Sequence, residues 1–141
     1  TWREVTEYRV GTSIYGDRKC VQNGVMTHDQ CALTVMATVV SRPTAERGIV
    51  DAGSKTLTSD TNGLEGHGYI IEYPDAKFYG LSEEHGHVDF SACATRPSIG
   101  EHVTIIPNHC CTVSNMFDEV IGVRGDRIEM RLPIAARGRL R

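Results

Sequence analysis

The chain has no long hydrophobic run, no strong net charge and no regular spacing of cysteines. No apolar stretch among its 141 residues approaches the roughly 18 residues that a membrane-spanning helix needs, and no secretory signal pattern is visible. The formal net charge is −3, so no strong electrostatic attraction to nucleic acid or to an anionic membrane is expected. The five cysteines form no disulfide-like framework, which favours a reducing, cytoplasmic compartment.

The chain also lacks any segment with a sustained helical period. Hydrophobic residues make up 40% and charged residues 23%, which is ordinary for a globular domain with its own core. Turn residues, including many of the 14 glycines, separate short β-branched or alternating segments. These predict strands at residues 4–10, 31–41, 48–51, 68–73, 76–82 and 102–106, and a hairpin of residues 118–123 and 127–132. The pattern predicts a mainly-β, single domain of the barrel or sandwich type.

A candidate metal site follows the strand that ends at Pro107. His109 and Cys111 lie two positions apart, and on an extended strand such residues point to the same face, while Cys110 points away. An imidazole nitrogen and a thiolate suit zinc, but two protein ligands leave a tetrahedral site open to water or substrate. The alternative is a histidine and a cysteine without a function at a strand end.

A second concentration of titratable side chains lies in residues 83–87, with Glu83, Glu84, His85 and His87. A carboxylate of this segment would orient a metal-bound imidazole, or a glutamate or histidine would transfer a proton. A solvated polar edge is the alternative interpretation.

Two turns offer weaker signals. Gly11 and Thr12 follow the first predicted strand and present free backbone N–H groups and a hydroxyl, which suit a phosphate. In residues 51–55, Gly53 predicts an unusual backbone angle, and Lys55 would form a Schiff base only if buried. A surface lysine or a structural ion pair is the favoured interpretation of Lys55.

Several of these segments together resemble the C-terminal part of the D-threonine aldolase / D-serine dehydratase family, which contains pyridoxal-phosphate enzymes with an alanine-racemase-like fold. The matching segments occur in the family's order and span nearly the whole chain. They are residues 7–12, 51–55, 59–60, 82–86, 107–111 and 136–139.

The resemblance implies a role for each candidate residue. The family's metal-ligand pair falls on His109 and Cys111, with zinc or another divalent metal such as manganese. Glu84 and His85 fall near the active site and are the candidate catalytic residues. Gly11 and Thr12 fall where the phosphate of pyridoxal phosphate would lie.

The resemblance also implies a division of the chain and a function. Residues 1–30 would be the end of an N-terminal barrel domain and a linker, and residues 31–141 the C-terminal metal-binding β-domain. The barrel would carry the cofactor lysine, which none of Lys19, Lys55 and Lys77 matches, so we expect a piece of a larger protein that is inactive alone. The parent would be a homodimeric lyase acting on D-amino acids with a β-hydroxyl group.

Three alternatives stay open at this point. The residues do not distinguish an aldolase from a dehydratase. A stand-alone β-domain that serves as a binding or oligomerisation module is the main competing function. A metal-free, racemase-like relative is the third possibility.

Overall fold

The computed structural model describes residues 4–139 and consists mainly of β-strands. Six strands form one antiparallel sheet in the order β3-β6-β1-β2-β5-β4. Its strands are β1 (Val35–Ser41), β2 (Arg47–Val50), β3 (Gly68–Ile70), β4 (Lys77–Leu81), β5 (Gly86–Asp89) and β6 (His102–Pro107). The two edges approach each other where His67, just before β3, donates its backbone N–H to the carbonyl of Phe78 in β4 at 3.0 Å. The sheet is therefore a nearly closed barrel, and the predicted mainly-β fold is confirmed.

The strand alternation explains the core. In β1, Val35, Ala37 and Val39 are buried, whereas Met36 between them is 75% exposed. The other strands and Phe90, directly after β5, supply further buried side chains to the same cluster, among them Ile70, Phe78, Val88, Val103 and Ile105. Complete burial of one such aliphatic or aromatic side chain contributes about 1.5–3 kcal/mol to folding, so this cluster is what holds the barrel together.

The predicted C-terminal hairpin is present as a separate two-stranded sheet of β7 (Glu119–Arg124) and β8 (Arg127–Pro133). Gly125 forms its turn with φ of 56°, a value that glycine adopts without steric cost. All residues of β8 are exposed, so the hairpin adds little to the core.

Three short helices connect the strands: α1 (Arg18–Gln22), α2 (Ser54–Leu57) and α3 (Cys110–Ser114). Residues Thr12–Ile14 and His28–Gln30 form single 3₁₀ turns. Helix α3 packs Cys110 and Val113 into the main core. No helix in the described part of the chain has the length and hydrophobicity that a membrane crossing would require.

Two local predictions were wrong. Residues 4–10 form no strand and are exposed throughout, since their alternating pattern finds no partner strand within residues 4–139. Gly53 has an ordinary φ of −98°. A Cβ atom there would lie 2.3 Å from the carbonyl oxygen of Glu83, so close backbone packing, not an unusual angle, requires glycine.

Candidate metal-binding site

The candidate site lies where β6 ends and α3 begins. His109 is extended, with φ of −142° and ψ of 103°, and it is the residue that precedes the first turn of α3. The carboxylate of Asp17 is fully buried and accepts the backbone N–H of Cys110 at 3.1 Å. Its other oxygen accepts the backbone N–H of Cys20 at 3.0 Å. One carboxylate thus satisfies free N–H groups at the starts of both α1 and α3.

The predicted geometry of His109 and Cys111 therefore needs a correction. They do not share the face of one strand, because the chain turns into a helix at Cys110. Their side chains nevertheless lie close enough for each to shift the pKa of the other. The strand-to-helix junction, and not strand alternation, brings the imidazole and the thiol together.

Asp60 completes the imidazole side of the site. Its Oδ2 lies 2.6 Å from Nδ1 of His109, and its Oδ1 accepts the backbone N–H of Asn62 at 2.8 Å. Burial by itself would lower the pKa of His109, but hydrogen bonds to Asp60 and Cys111 and the charges of both groups raise it above its usual value. The hydrogen bond from His109 in turn lowers the pKa of Asp60.

Sequence reasoning placed Asp60 only in a turn-forming loop and in one of the family-like segments. The one feature of the sequence that pointed to Asp60 was therefore its position beside Ser59 in that family-like segment. Nothing in residues 58–63 indicated contact with His109, because the two residues are 49 positions apart.

The thiol side of the site is formed by Thr12. Its Oγ1 lies 3.5 Å from Sγ of Cys111, and this hydrogen bond is the main cause of the lowered pKa of Cys111. Burial acts in the opposite direction, and His109 lowers the pKa further. Thr12 therefore lies beside the candidate metal pair. An added Cβ at Gly11 would meet nothing within 4 Å, so the turn before Thr12 is open. Contact of either residue with a phosphate stays a prediction.

The two neighbouring cysteines differ sharply. Cys110 is fully buried, and burial raises the pKa of its thiol, as do the negative charges of Cys111 and Asp17. Cys111 is exposed and has a lowered pKa. Only Cys111 therefore combines access with thiolate character, which a metal ligand needs.

Asn108 anchors the strand end beneath the site. This buried amide donates to the carbonyls of Gly66 at 2.8 Å and Thr61 at 3.3 Å. Its Oδ1 accepts a hydrogen bond from Nη1 of Arg18 at 2.6 Å. These bonds tie the loop that follows Asp60 to the end of β6, so the approach of Asp60 to His109 is built into the loop packing.

The donor set fits zinc with an open coordination sphere. When the imidazole is neutral and its Nδ1–H points at Asp60, the Nε2 lone pair is left for a metal, an arrangement common around metal-bound histidines. Within residues 4–139, no cluster of three or more histidine, cysteine, aspartate or glutamate side chains is arranged to hold a metal. His109 and Cys111 are therefore two candidate ligands at this junction, and the remaining positions of a bound metal would be filled by water or substrate.

The segment with Glu84 and His85 is arranged differently. Lys55 pairs with Glu84 at 2.7 Å and with Glu83 at 3.0 Å, and all three side chains are more than half exposed. The backbone N–H groups of Ser54 and Lys55 donate to the carbonyls of Ser82 and Glu83, which joins this segment to α2. The structure does not bring Glu84 into the contacts of His109 and Cys111, and His85 is exposed.

Lys55 and three further histidines make other contacts in the structure. Hydrogen bonds to Glu84 and Glu83 raise the pKa of Lys55, so it is the surface ion-pair lysine that the sequence favours. His28 stacks on Tyr69 with ring centroids 3.8 Å apart. His102 lies at the start of β6 with Nδ1 3.4 Å from Oγ1 of Thr38. His87 lies 3.2 Å from Nη2 of Arg47, so it belongs to the sheet surface.

Comparison with known proteins gives matches over most of the chain. The family model described as "Putative serine dehydratase domain" matches residues 32–123. An uncharacterized protein of Mycobacterium tuberculosis is 38% identical over 129 residues, which cover 88% of this chain and 97% of that protein. D-threonine aldolase of an Arthrobacter species is 33% identical over 107 residues, which cover 76% of this chain and 27% of the enzyme.

The barrel also matches a solved structure. The crystal structure of D-threonine aldolase from Filomicrobium marinum superposes with a TM-score of 0.79 at 29% identity, covering 92% of this chain and 36% of the enzyme. The chain therefore spans about a third of that enzyme and about a quarter of the Arthrobacter enzyme, but nearly the full length of the mycobacterial protein.

Proposed function

The chain belongs to the serine dehydratase domain family, and from this premise we propose that it is the C-terminal, metal-binding β-domain of a pyridoxal-phosphate- and metal-dependent lyase. Its substrates would be D-amino acids with a β-hydroxyl group, as for a D-threonine aldolase or a D-serine dehydratase. The observation that carries the proposal is that the side chains of His109 and Cys111 lie together at the β6–α3 junction, with Oδ2 of Asp60 2.6 Å from Nδ1 of the imidazole.

His109 and Cys111 are the proposed metal ligands. A bound zinc ion, or another divalent ion such as manganese, would supply Lewis-acid polarisation of the substrate β-hydroxyl. The thiolate form of Cys111 is favoured by the hydroxyl of Thr12. Asp60 accepts the Nδ1–H of the neutral imidazole and so directs Nε2 away from itself and toward the metal position.

Proton competition sets the pH dependence of this site. Metal binding requires neutral His109 and deprotonated Cys111, so affinity falls in acid. The raised pKa of His109 moves that loss to higher pH than an ordinary imidazole would give, whereas the lowered pKa of Cys111 acts in the opposite direction. His109 therefore competes with the metal for a proton more strongly than an ordinary imidazole, and Cys111 less strongly than an ordinary thiol.

The other candidate residues have roles that depend on the parent enzyme. Pyridoxal phosphate would supply the electron sink for chemistry at the substrate α-carbon. Gly11 and Thr12 would contact its phosphate through backbone N–H groups and a hydroxyl. Glu84 and His85 would transfer protons, and both side chains are exposed to solvent.

The proposed division places residues 1–30 at the end of a barrel domain and its linker, and residues 31–141 in the β-domain. An N-terminal barrel with the cofactor lysine, and a second copy of the enzyme, would be its partners in the cytoplasm. Residues 4–10 form no strand here and are exposed, but with such a barrel as neighbour their alternating pattern would allow them to pair. Without the barrel, the chain alone is expected to be inactive.

Cobalt binding tests the metal site directly, since Co²⁺ reports thiolate coordination through charge-transfer absorption. We expect the metal-stripped chain to bind Co²⁺ with this absorption and Zn²⁺ to displace it. H109A and C111S should each weaken binding at least about 100-fold, because removal of an outer contact alone typically costs 10–100-fold. H102A is the matched control, because this exposed histidine lies at the opposite end of β6.

Retention of cobalt affinity by H109A would contradict the proposal. Absence of any cobalt or zinc binding by the wild-type chain would instead favour the metal-free, racemase-like relative.

A second candidate function is a stand-alone binding or oligomerisation module. It is favoured by the mycobacterial protein, of which this chain covers 97%. The two are separated by expressing the full parent reading frame and assaying D-threonine and D-serine for acetaldehyde, glycine, pyruvate and ammonia. Turnover by a barrel-containing parent supports the lyase. A frame without a barrel, and without turnover when pyridoxal phosphate and zinc are added, supports the module.

A further inference from the structure

Thr58 has a backbone conformation that a β-branched residue rarely adopts. It follows α2 with φ of 61° and ψ of 169°, a region populated almost only by glycine. Glycine would adopt these angles at little cost. A threonine here therefore needs a compensating contribution from its side chain.

The side chain of Thr58 contacts Asp60, which pairs with His109, and Thr112 in the first turn of α3. Its Oγ1 accepts the backbone N–H of Asp60 at 3.2 Å and lies 3.3 Å from Oγ1 of Thr112. The hydroxyl of Thr112 donates to the carbonyl of His109 at 3.0 Å. Because the Thr112 proton is thus committed, the Thr58 hydroxyl is the donor in the bond between the two threonines.

These contacts close a ring of four residues. Thr58 binds Asp60, Asp60 pairs with His109 at 2.6 Å, His109 binds Thr112, and Thr112 returns to Thr58. The ring joins the loop after α2 to the start of α3. If the Thr58 hydroxyl were absent, Asp60 would lose its backbone anchor and the first turn of α3 would lose its contact with the loop.

We propose that Thr58 is a positioning residue, whose strained backbone and hydroxyl hold Asp60 against Nδ1 of His109 so that Nε2 is presented on the side of Cys111. The inference rests on the proposed metal site for its functional meaning, but the ring itself makes a prediction about the metal-free chain. The neutral imidazole of His109 should carry its proton on Nδ1, and this preference should depend on Thr58.

Three variants separate the contributions of the hydroxyl and the backbone. T58V keeps the branched shape without the hydroxyl, T58G removes both the hydroxyl and the strain, and T58S keeps the hydroxyl. N62G is the matched control, because Asn62 is the other non-glycine residue of this loop with positive φ, at 51°, and its backbone N–H to Asp60 is retained.

We expect T58V and T58G to weaken Co²⁺ binding about 10-fold or more, the size typical of losing an outer contact of a metal ligand. T58S should bind within about threefold of wild type, because the hydroxyl that the ring requires is kept. T58G should have a higher Tm than T58V, because it loses the same hydroxyl but also the backbone strain. N62G should leave cobalt affinity unchanged.

The tautomer of His109 gives a readout independent of metal. Nitrogen-15 NMR of the metal-free chain, recorded above the pKa of His109, should show Nδ1–H as the main form in wild type and T58S, and a smaller share in T58V and T58G. Wild-type cobalt affinity together with a wild-type tautomer in T58V and T58G would overturn the role of Thr58. If the wild-type chain binds no metal, the proposed function fails, and the tautomer comparison alone still decides this inference.

Discussion

The β6–α3 junction and residues 83–85 both concentrate titratable side chains, but their surroundings differ. At the junction, His109 contacts Asp60 and Cys111 contacts Thr12. These contacts help to shift the pKa values of the three titratable groups, His109, Cys111 and Asp60. Glu83 and Glu84 instead project into solvent and share Lys55. Residues 83–85 carry more charged groups in the sequence, but the side chains at the β6–α3 junction have the more defined partners.

The difference comes from what lies behind each segment. At the junction, buried Asp17 accepts the backbone N–H of Cys110, and buried Asn108 donates to backbone carbonyls of the loop that follows Asp60. Solvent screens the ion pairs of Lys55, and such exposed pairs are weak. Partly buried groups with fixed partners have shifted pKa values, and such groups are concentrated at functional sites. The buried residues beneath a cluster therefore indicate a functional site better than the number of charges in the cluster.

Thiol reactivity gives the largest expected contrast within the junction. With iodoacetamide at neutral pH, Cys111 should react at least about 100-fold faster than Cys110, because the buried thiol reacts only after local opening and its pKa is raised. Peptide mapping by mass spectrometry measures both rates. Zn²⁺ should protect Cys111, and comparable rates for the two cysteines would contradict the structure.

Removal of the carboxylate beside His109 should have a moderate effect that depends on pH. Because the pKa of His109 is raised in the folded chain, the pair contributes stability that is fully present below the unfolded histidine pKa of about 6.5 and is lost as pH rises through the folded value. The lowered pKa of Asp60 keeps its carboxylate charged throughout mildly acidic conditions.

We therefore expect D60N to lower the free energy of unfolding by about 1 kcal/mol near about pH 5.5, a value reduced by solvent screening, and by less near about pH 9. Urea denaturation of the metal-free chain at both pH values measures this. N62D is a suitable control, since it adds a charge in the same loop without removing the pair. A larger loss at the higher pH would refute the assignment.

The smallest effects are expected in residues 83–85. E84Q and H85N should leave the cobalt affinity within about twofold of wild type and the Tm unchanged, because both side chains are exposed and neither joins the contacts of His109. If either variant weakened cobalt binding about 10-fold or more, as expected of T58V, the two segments would form one site. Their proposed role in proton transfer is tested only by the parent enzyme's pH profile.

Much of the fold was predictable because the strands are encoded locally. The β-branched, mostly apolar run of residues 31–41 predicted β1, which begins only at Val35. The stop at Pro107 and the turn at Gly125 gave the end of β6 and the hairpin. The family resemblance is confirmed by the matches to the serine dehydratase domain and to D-threonine aldolase. The strand at residues 4–10 was predicted wrongly because its pattern indicates a strand but supplies no neighbour to pair with.

The candidate site was predictable only in part. His109 and Cys111 stood out by their residue types, although the strand geometry that suggested them was wrong. Asp60 and Thr58 did not stand out, because loop residues of these types are common in turns and their contacts with residues 109–112 span about fifty positions. The roles of all these residues in metal binding stay predictions.

The amino-acid sequence by itself determined the β-rich architecture and the family, and it singled out His109 and Cys111 as candidate metal ligands, because periodicity, turn chemistry and residue type act locally. Only the tertiary structure decided that Asp60 meets His109, that Thr12 meets Cys111 and that Cys110 is sealed in the core. These outcomes depend on how distant loops pack over the end of one strand, and the pKa of each group follows from the neighbours that this packing supplies.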